Sequence, residues 1–257
     1  EVGAGVAALI ISVVFSTATD AFLTAGGAST WLESSAQFGI MAVAVSLLMI
    51  GGEFDLSAGT MVGTTGLIVG VLATHLHANL WVAVVASLVA AALIGALNGW
   101  LVVRTRLPSF IVTLGTFFVL QGINLAGTKL VTGQVSVQGF SDVAGFYDAR
   151  LVFGSSSHVD GFTLQISVVW WLLLTAAATW VLLRTRAGNW IFAVGGDEKR
   201  ERQGGGPVVR TKQGMCRAQA LDAWRAGMQK RVKSPTAQAG PGAGRGVNYK
   251  TRGTGGG

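Results

Sequence analysis

Charge is what this 257-residue chain has least of. Only 12% of its residues are charged, 51% are hydrophobic, and the mean hydropathy is +0.55. Soluble domains carry about 25% charged residues, so the composition excludes an ordinary water-soluble globule and points to a membrane protein. Cysteine is nearly absent. Cys216 stands alone, which excludes an intrachain disulfide and leaves the redox compartment undefined. His75 and His77 flank Leu76 with no Cys, Asp or Glu nearby, so they read as a solvated turn, and neither a metal nor a cofactor is expected. No phosphate-binding Gly-x4-Gly-Lys-Ser/Thr loop, His-Glu-x-x-His or Gly-x-Ser-x-Gly occurs, so an enzyme is not expected; any nucleotide hydrolysis belongs to another chain. The chain opens on Glu1, almost inside an apolar run and with no basic segment before it. A cleavable signal peptide is therefore not expected, and a missing N-terminus is.

What is present is apolar length. Six stretches approach the roughly 20 residues that span a hydrocarbon core: Val2–Thr19, Ala36–Gly52, Leu56–Thr74, Leu80–Val103, Phe110–Thr128 and Phe162–Leu183. The fold class expected is all-α, a polytopic membrane helix bundle of about six spans. Arg104 and Arg106 follow the fourth stretch, and Arg184 and Arg186 follow the sixth. With alternating spans both pairs fall on one side, which the positive-inside rule makes cytoplasmic. The link Lys129–Gly161 is then external. Before the second stretch, Thr30-Trp31-Leu32-Glu33 has capping-box spacing. It reads either as a short interfacial helix or as an ordinary external loop.

Two carboxylates interrupt the apolar run in Gly51-Gly52-Glu53-Phe54-Asp55-Leu56-Ser57. Carboxylates at bilayer depth are costly and mark ion, proton or solute sites, so Glu53 and Asp55 are candidates for such chemistry. The structural reading ranks ahead: Asp55 or Ser57 caps the helix starting near Leu56, and Gly51-Gly52 makes the turn before it. Gly59, Gly63, Gly66 and Gly70 in the third stretch, with Gly95 and Gly99 in the fourth, have the small-residue spacing that lets helices approach closely in lipid.

The character changes after Gly196. Residues 1–196 hold six basic and eight acidic side chains, a net of −2; residues 197–257 hold thirteen and four, a net of +9, with three of the four prolines. Two domains are expected: residues 1–196, a transmembrane domain, and residues 197–257, a polar, Gly-rich, disordered tail. Within that tail Leu221, Trp224, Met228 and Val232 form an apolar stripe among basic residues, which leaves open a basic surface helix on anionic lipid. The tail has only two aromatic residues, Trp224 and Tyr249, and no nucleic-acid partner is expected.

Three segments resemble one family. Gly51-Gly52-Glu53-Phe54-Asp55-Leu56-Ser57-Ala58-Gly59 is similar to the "GG-x-DLS-x-G" signature of permease subunits of bacterial ABC sugar importers, the ribose/xylose/galactose type. Asn98-Gly99, followed by Pro108-Ser109-Phe110-Ile111-Val112-Thr113-Leu114-Gly115-Thr116, resembles that family's second element. Arg184 to Gly196 resembles the stretch entering its cytoplasmic coupling loop. The resemblance implies an inner-membrane, multi-pass permease for a monosaccharide or related sugar. Its implied partners are cytoplasmic ATPase subunits, a second permease subunit, an extracytoplasmic sugar-binding protein and membrane lipid. It implies that Gly195, Gly196, Asp197 and Glu198 begin the ATPase contact, and that Gly133–Gly161 is a docking surface for the binding protein. Past Asp197 the family pattern gives way to Lys199-Arg200-Glu201-Arg202-Gln203-Gly204. A truncated or frameshifted permease is therefore expected, and translating the parent DNA in the other two frames checks this. Two rivals remain: an ion-coupled secondary transporter using Glu53 and Asp55, and a membrane anchor whose basic tail recruits partners.

Overall fold

The computed structural model describes residues 2–133, 136–137, 143–159, 162–233 and 237–238. Ten helices occur among them: α1 Val2–Ala18, α2 Ala25–Ile50, α3 Ala58–Thr74, α4 Leu80–Thr105, α5 Ser109–Thr132, α6 Phe146–Phe153, α7 Ile166–Arg184, α8 Arg186–Gly196, α9 Glu198–Gln203 and α10 Val208–Lys233. Each of the six expected apolar stretches contains a helix. α2, α4, α5 and α7 are long and apolar enough to cross a membrane, and α1 and α3 are shorter apolar helices. In lipid a helix satisfies every backbone polar group internally, which explains why charge-free runs take this form. Leu9, Phe118, Ile123, Leu172 and Trp180 stand exposed on α1, α5 and α7, the surface an apolar solvent would cover.

Two boundaries differ from the sequence reading. α2 begins at Ala25 because the Thr24 hydroxyl accepts the Gly27 N–H at 3.1 Å and caps it there. Thr30–Glu33 therefore lies inside a continuous helix, where the Thr30 hydroxyl donates back to the Gly26 carbonyl at 2.9 Å instead of capping. The sixth stretch starts as a strand: Phe162–Gln165 pairs antiparallel with Ser156–Val159, and α7 begins only at Ile166.

The largest difference lies in residues 197–257. The disorder expected there fails for Glu198–Gln203 and Val208–Lys233, which are helical, and half of the residues of the second are buried. Residues 234–236 and 239–257 lie outside the described residues, and the expectation of disorder with them. α10 packs against α2, α3, α4, α6 and α8. One face is built of small or apolar groups, Cys216, Ala220, Ala223 and Gly227, and α4 meets it with glycines. A Cβ on Gly95 would stand 2.6 Å from Ala220 Cβ, and one on Gly99 would stand 3.0 Å from Gln213 Cα. Such contacts require bare backbone on α4. Met228 and Val232 of the apolar stripe join Val69, Ala73, Leu80, Ala83 and Val84 in the core and Trp224 packs against it, while Leu221 stays exposed.

Cys216 is buried on this face, with 2% of its surface exposed. Its thiol is expected to resist a maleimide in folded protein and to react on denaturation; mass spectrometry of native and denatured samples reads the difference. Labelling at equal rates in both would mean that α10 is not docked.

Candidate functional site

The turn between α2 and α3 shows why its sequence is so particular. α2 ends in a Schellman arrangement: the Gly52 N–H donates to the Met49 carbonyl and the Glu53 N–H to the Leu48 carbonyl, both at 3.0 Å. Gly52 takes φ +76°, a left-handed conformation that a side chain would strain. α3 then starts after Ser57, whose own hydroxyl makes no cap to the helix. Asp55 does the local work, because its Oδ1 accepts the Ser57 N–H at 2.7 Å and the Ser57 hydroxyl at 2.6 Å. The helix cap expected of Asp55 or Ser57 is made by neither side chain; Asp55 instead turns the backbone just before α3 by holding Ser57.

The second sequence element closes over the first. Asn98 on α4 donates from Nδ2 to Ser57 Oγ at 3.0 Å, and its Oδ1 accepts the Thr116 hydroxyl at 2.7 Å. At the start of α5, after Pro108, Ser109 Oγ accepts the Phe54 N–H at 2.8 Å, and Thr113 Oγ1 accepts the Leu56 N–H at 3.1 Å. Two motifs some fifty residues apart form one buried network, Asp55–Ser57–Asn98–Thr116, flanked by two backbone tethers. Buried polar groups demand such partners. Gly115 has open space around it and contributes no contact.

The third element docks on the same turn. A Cβ on Gly195 of α8 would lie 1.8 Å from the Ile50 carbonyl oxygen and 3.1 Å from Gly51 Cα, so two glycine pairs bring their backbones together. Gly196 faces open space. Asp197 caps α9 by accepting the Arg200 N–H at 3.0 Å. Glu53 of the turn and Glu198 of α9 both pair with Lys212 of α10, at 2.5 and 2.8 Å. A cavity of about 950 Å³ opens here, lined by Glu53, Phe54, Arg106, Ser109, Glu198, Arg202 and Lys212 among others. It lies at the end that the Arg-Thr-Arg pairs mark as cytoplasmic. The hydrogen bond from Lys212 holds the Glu198 carboxyl below its ordinary value of 4.5, against the opposing effect of burial. A depressed carboxylate stabilises the fold above its unfolded value and loses that contribution as pH falls through the folded one. The α9–α10 clamp is therefore expected to loosen below about pH 4.5 and to be whole at neutral pH. Hydrogen exchange of the Glu198–Gln203 amides, corrected for the intrinsic pH dependence of exchange, reads it across that range.

The packing glycines divide. Gly95 and Gly99 meet α10 directly, Gly70 lies against the Arg231 guanidinium, and a Cβ would stand 3.8 Å from the Gly227 carbonyl oxygen if added to Gly66 and 3.8 Å from Asn124 Nδ2 if added to Gly63. A Cβ on Gly59 would meet nothing within 4 Å. Lys212 and Asn124, which donates to Thr64 at 2.9 Å, were not singled out in sequence. Among the described residues no three His, Cys, Asp or Glu side chains stand together as a metal site.

Asp55→Ala strips two buried donors of their acceptor and is expected to cost about 1–3 kcal/mol. Asp55→Asn keeps an oxygen at Oδ1 and is expected to cost less than half of that. Thermal unfolding in detergent measures both, and equal losses would mean that these two bonds from Ser57 do not hold the turn.

The family model for the permease component of the branched-chain amino acid transport system matches residues 27–244, running past Asp197 where the resemblance of motifs stops. The xylose transport system permease protein XylH of Escherichia coli strain K12 is 34% identical over 144 residues, 55% of this chain and 37% of that protein. The ribose import permease protein RbsC of the same strain is 29% identical over 207 residues, 80% of this chain and 61% of that protein. The autoinducer 2 import system permease protein LsrD of Klebsiella pneumoniae is 31% identical over 117 residues, 46% of this chain and 34% of that protein. The chain thus spans less than two thirds of the length of each of these relatives. No solved structure gives a significant match. With the family model covering most of its length and its apolar helices arranged as a bundle, this chain is a multi-pass membrane protein and belongs to that family of transport-system permease components.

Proposed function

We propose that this chain is the membrane subunit of an ATP-driven importer that carries a monosaccharide, of the xylose or ribose kind, across the bacterial inner membrane. ATP hydrolysis resides on separate cytoplasmic subunits, a second permease subunit completes the pathway, and an extracytoplasmic binding protein delivers the sugar. The observation that carries the reading is the docking of Gly195 on the Gly51–Gly52 turn. A push applied to Gly195–Glu198 by a closing ATPase reaches α2 and α3 through backbone contact, and reaches α10 through the Glu198–Lys212–Glu53 pairs. Coupling of this kind needs a stiff, packed connection, and this junction supplies one.

The test is uptake of radiolabelled xylose and ribose in cells lacking their own permeases, with ATPase and binding protein supplied. Accumulation that stops with an inactive ATPase is the expected result. Uptake that ignores the ATPase but is abolished by Asp55→Asn and Glu53→Gln would instead favour the ion-coupled reading, since both variants keep the hydrogen-bonding shape and lose the charge.

A further inference from the structure

The cavity at the cytoplasmic end has two unlike walls. One is apolar: Met49, Phe54, Leu107 and Phe110 line it, and all four stand exposed rather than packed. The other is charged. Arg106, Lys199, Arg202 and Lys212 meet only two carboxylates there, Glu53 and Glu198. Lys212 pairs with both of these and Arg202 pairs with Glu198, so the acidic groups are already engaged. Arg106 and Lys199 have no acidic partner among the described residues.

Arg106 also occupies a strained position. It ends α4 with φ +58°, the left-handed conformation that glycine takes freely at a helix C-terminus. An arginine held there points to work for its side chain that glycine could not do. The cavity separates Arg106 from Lys199 and Arg202 of α9, a helix that packs on α8 and α10. Trp100 on α4 and Trp190 on α8 are exposed at this same end, as tryptophans are at headgroup depth. Basic pockets between helices on the cytoplasmic side suit anionic headgroups. A free phosphate would use the cations and leave the apolar wall wet. A molecule with phosphate at one end and hydrocarbon at the other matches both walls.

We propose that this cavity binds an anionic phospholipid of the inner leaflet, its phosphate held by Arg106, Lys199 and Arg202 and its hydrocarbon laid against Met49, Leu107 and Phe110. The lipid then bridges α9 to the turn between α4 and α5. Neither the site nor its test depends on which solute the chain carries. The full chain in neutral detergent is titrated with short-chain phosphatidylglycerol or phosphatidylcholine, with and without inorganic phosphate, and native mass spectrometry counts the bound lipid. Phosphatidylglycerol is expected to bind about tenfold tighter than phosphatidylcholine, and to stay bound when inorganic phosphate is added at the same concentration. Arg106→Gly relaxes the backbone as it removes the cation. It is expected to melt no lower than the unaltered chain, yet to bind phosphatidylglycerol about fivefold more weakly, the effect of one basic group at an anionic lipid. Lys199→Gln, at an exposed position of α9, is expected to weaken binding by a similar factor. Arg104→Gln removes the same charge from a neighbouring position outside the cavity lining, and is expected to leave the affinity nearly unchanged. Equal weakening by Arg104→Gln and Arg106→Gly would mean diffuse surface charge and overturn the site. Equal binding of the two lipids would overturn it as well, and displacement by inorganic phosphate would reassign the cavity to a free anion and overturn the lipid.

Discussion

Lys212→Met is expected to unfold the chain at markedly lower temperature than any loss of a surface charge. The substitution preserves stem length and removes only the ammonium, so its cost is electrostatic. Glu53 is 7% exposed, and without Lys212 it remains buried with no cation against it. Breaking a buried pair from one side costs about 3–5 kcal/mol, because the surviving charge keeps its desolvation penalty. For a chain of this size that is a fall of about 6–20 °C in Tm. The converse change is milder. Glu53→Gln leaves Lys212 its second partner, Glu198, and the amide still accepts a hydrogen bond. The double variant should recover much of what Lys212→Met loses, since no uncompensated charge remains. Melting curves of the four proteins form a double-mutant cycle. If Lys212→Met melts with the unaltered chain, the Glu53–Lys212 pair is not holding α10 to the turn.

That pair also shows why the sequence revealed the six apolar helices and left the helix that joins them only as an alternative to disorder. A run such as Leu80–Val103 carries no charge and declares itself by composition alone. α10 carries Lys212, Asp222, Arg225, Arg231 and Lys233, and its apolar side consists largely of Cys, Ala and Gly, which weigh little on a hydropathy scale. Its docking depends on a partner surface, Gly95 and Gly99, and a one-dimensional reading cannot pair a small-residue face with the glycines facing it. Lys212 and Lys233 are tolerated because Glu53, Glu198 and Glu33 stand opposite. Sequence separation hid the signature network for a similar reason. Asp55, Asn98, Thr113 and Thr116 were visible as motif letters, yet nothing in their spacing says that Asn98 donates to Ser57 or that Thr113 holds the Leu56 amide. The turn itself was legible, because Gly-Gly before an Asp and Ser is a local instruction that needs no distant partner.

Gly195→Val is expected to separate transport from folding. A valine Cβ at position 195 would lie 1.8 Å from the Ile50 carbonyl oxygen, and backbone cannot yield as a side chain can. α8 must therefore lift from the turn, which also opens the cluster of Leu48, Ile191 and Met215. The network of Asp55, Ser57, Asn98 and Thr116 lies on other helices and should survive. So the variant should still reach the membrane and keep a cooperative unfolding transition, while losing most sugar uptake and most ATPase co-purification. Gly196→Val supplies the contrast, because nothing lies within 4 Å of its Cβ position. Both changes add the same side chain to the same helix, so any shared effect belongs to helix propensity and only the difference reports docking. Trypsin adds a readout that needs no partner protein: a lifted α8 should speed cleavage at Arg200 and Arg202 in Gly195→Val and leave it unchanged in Gly196→Val. Equal behaviour of the two variants in uptake and in proteolysis would mean that the Gly195 contact transmits nothing, and the route from α9 to the bundle would then run through Lys212 alone.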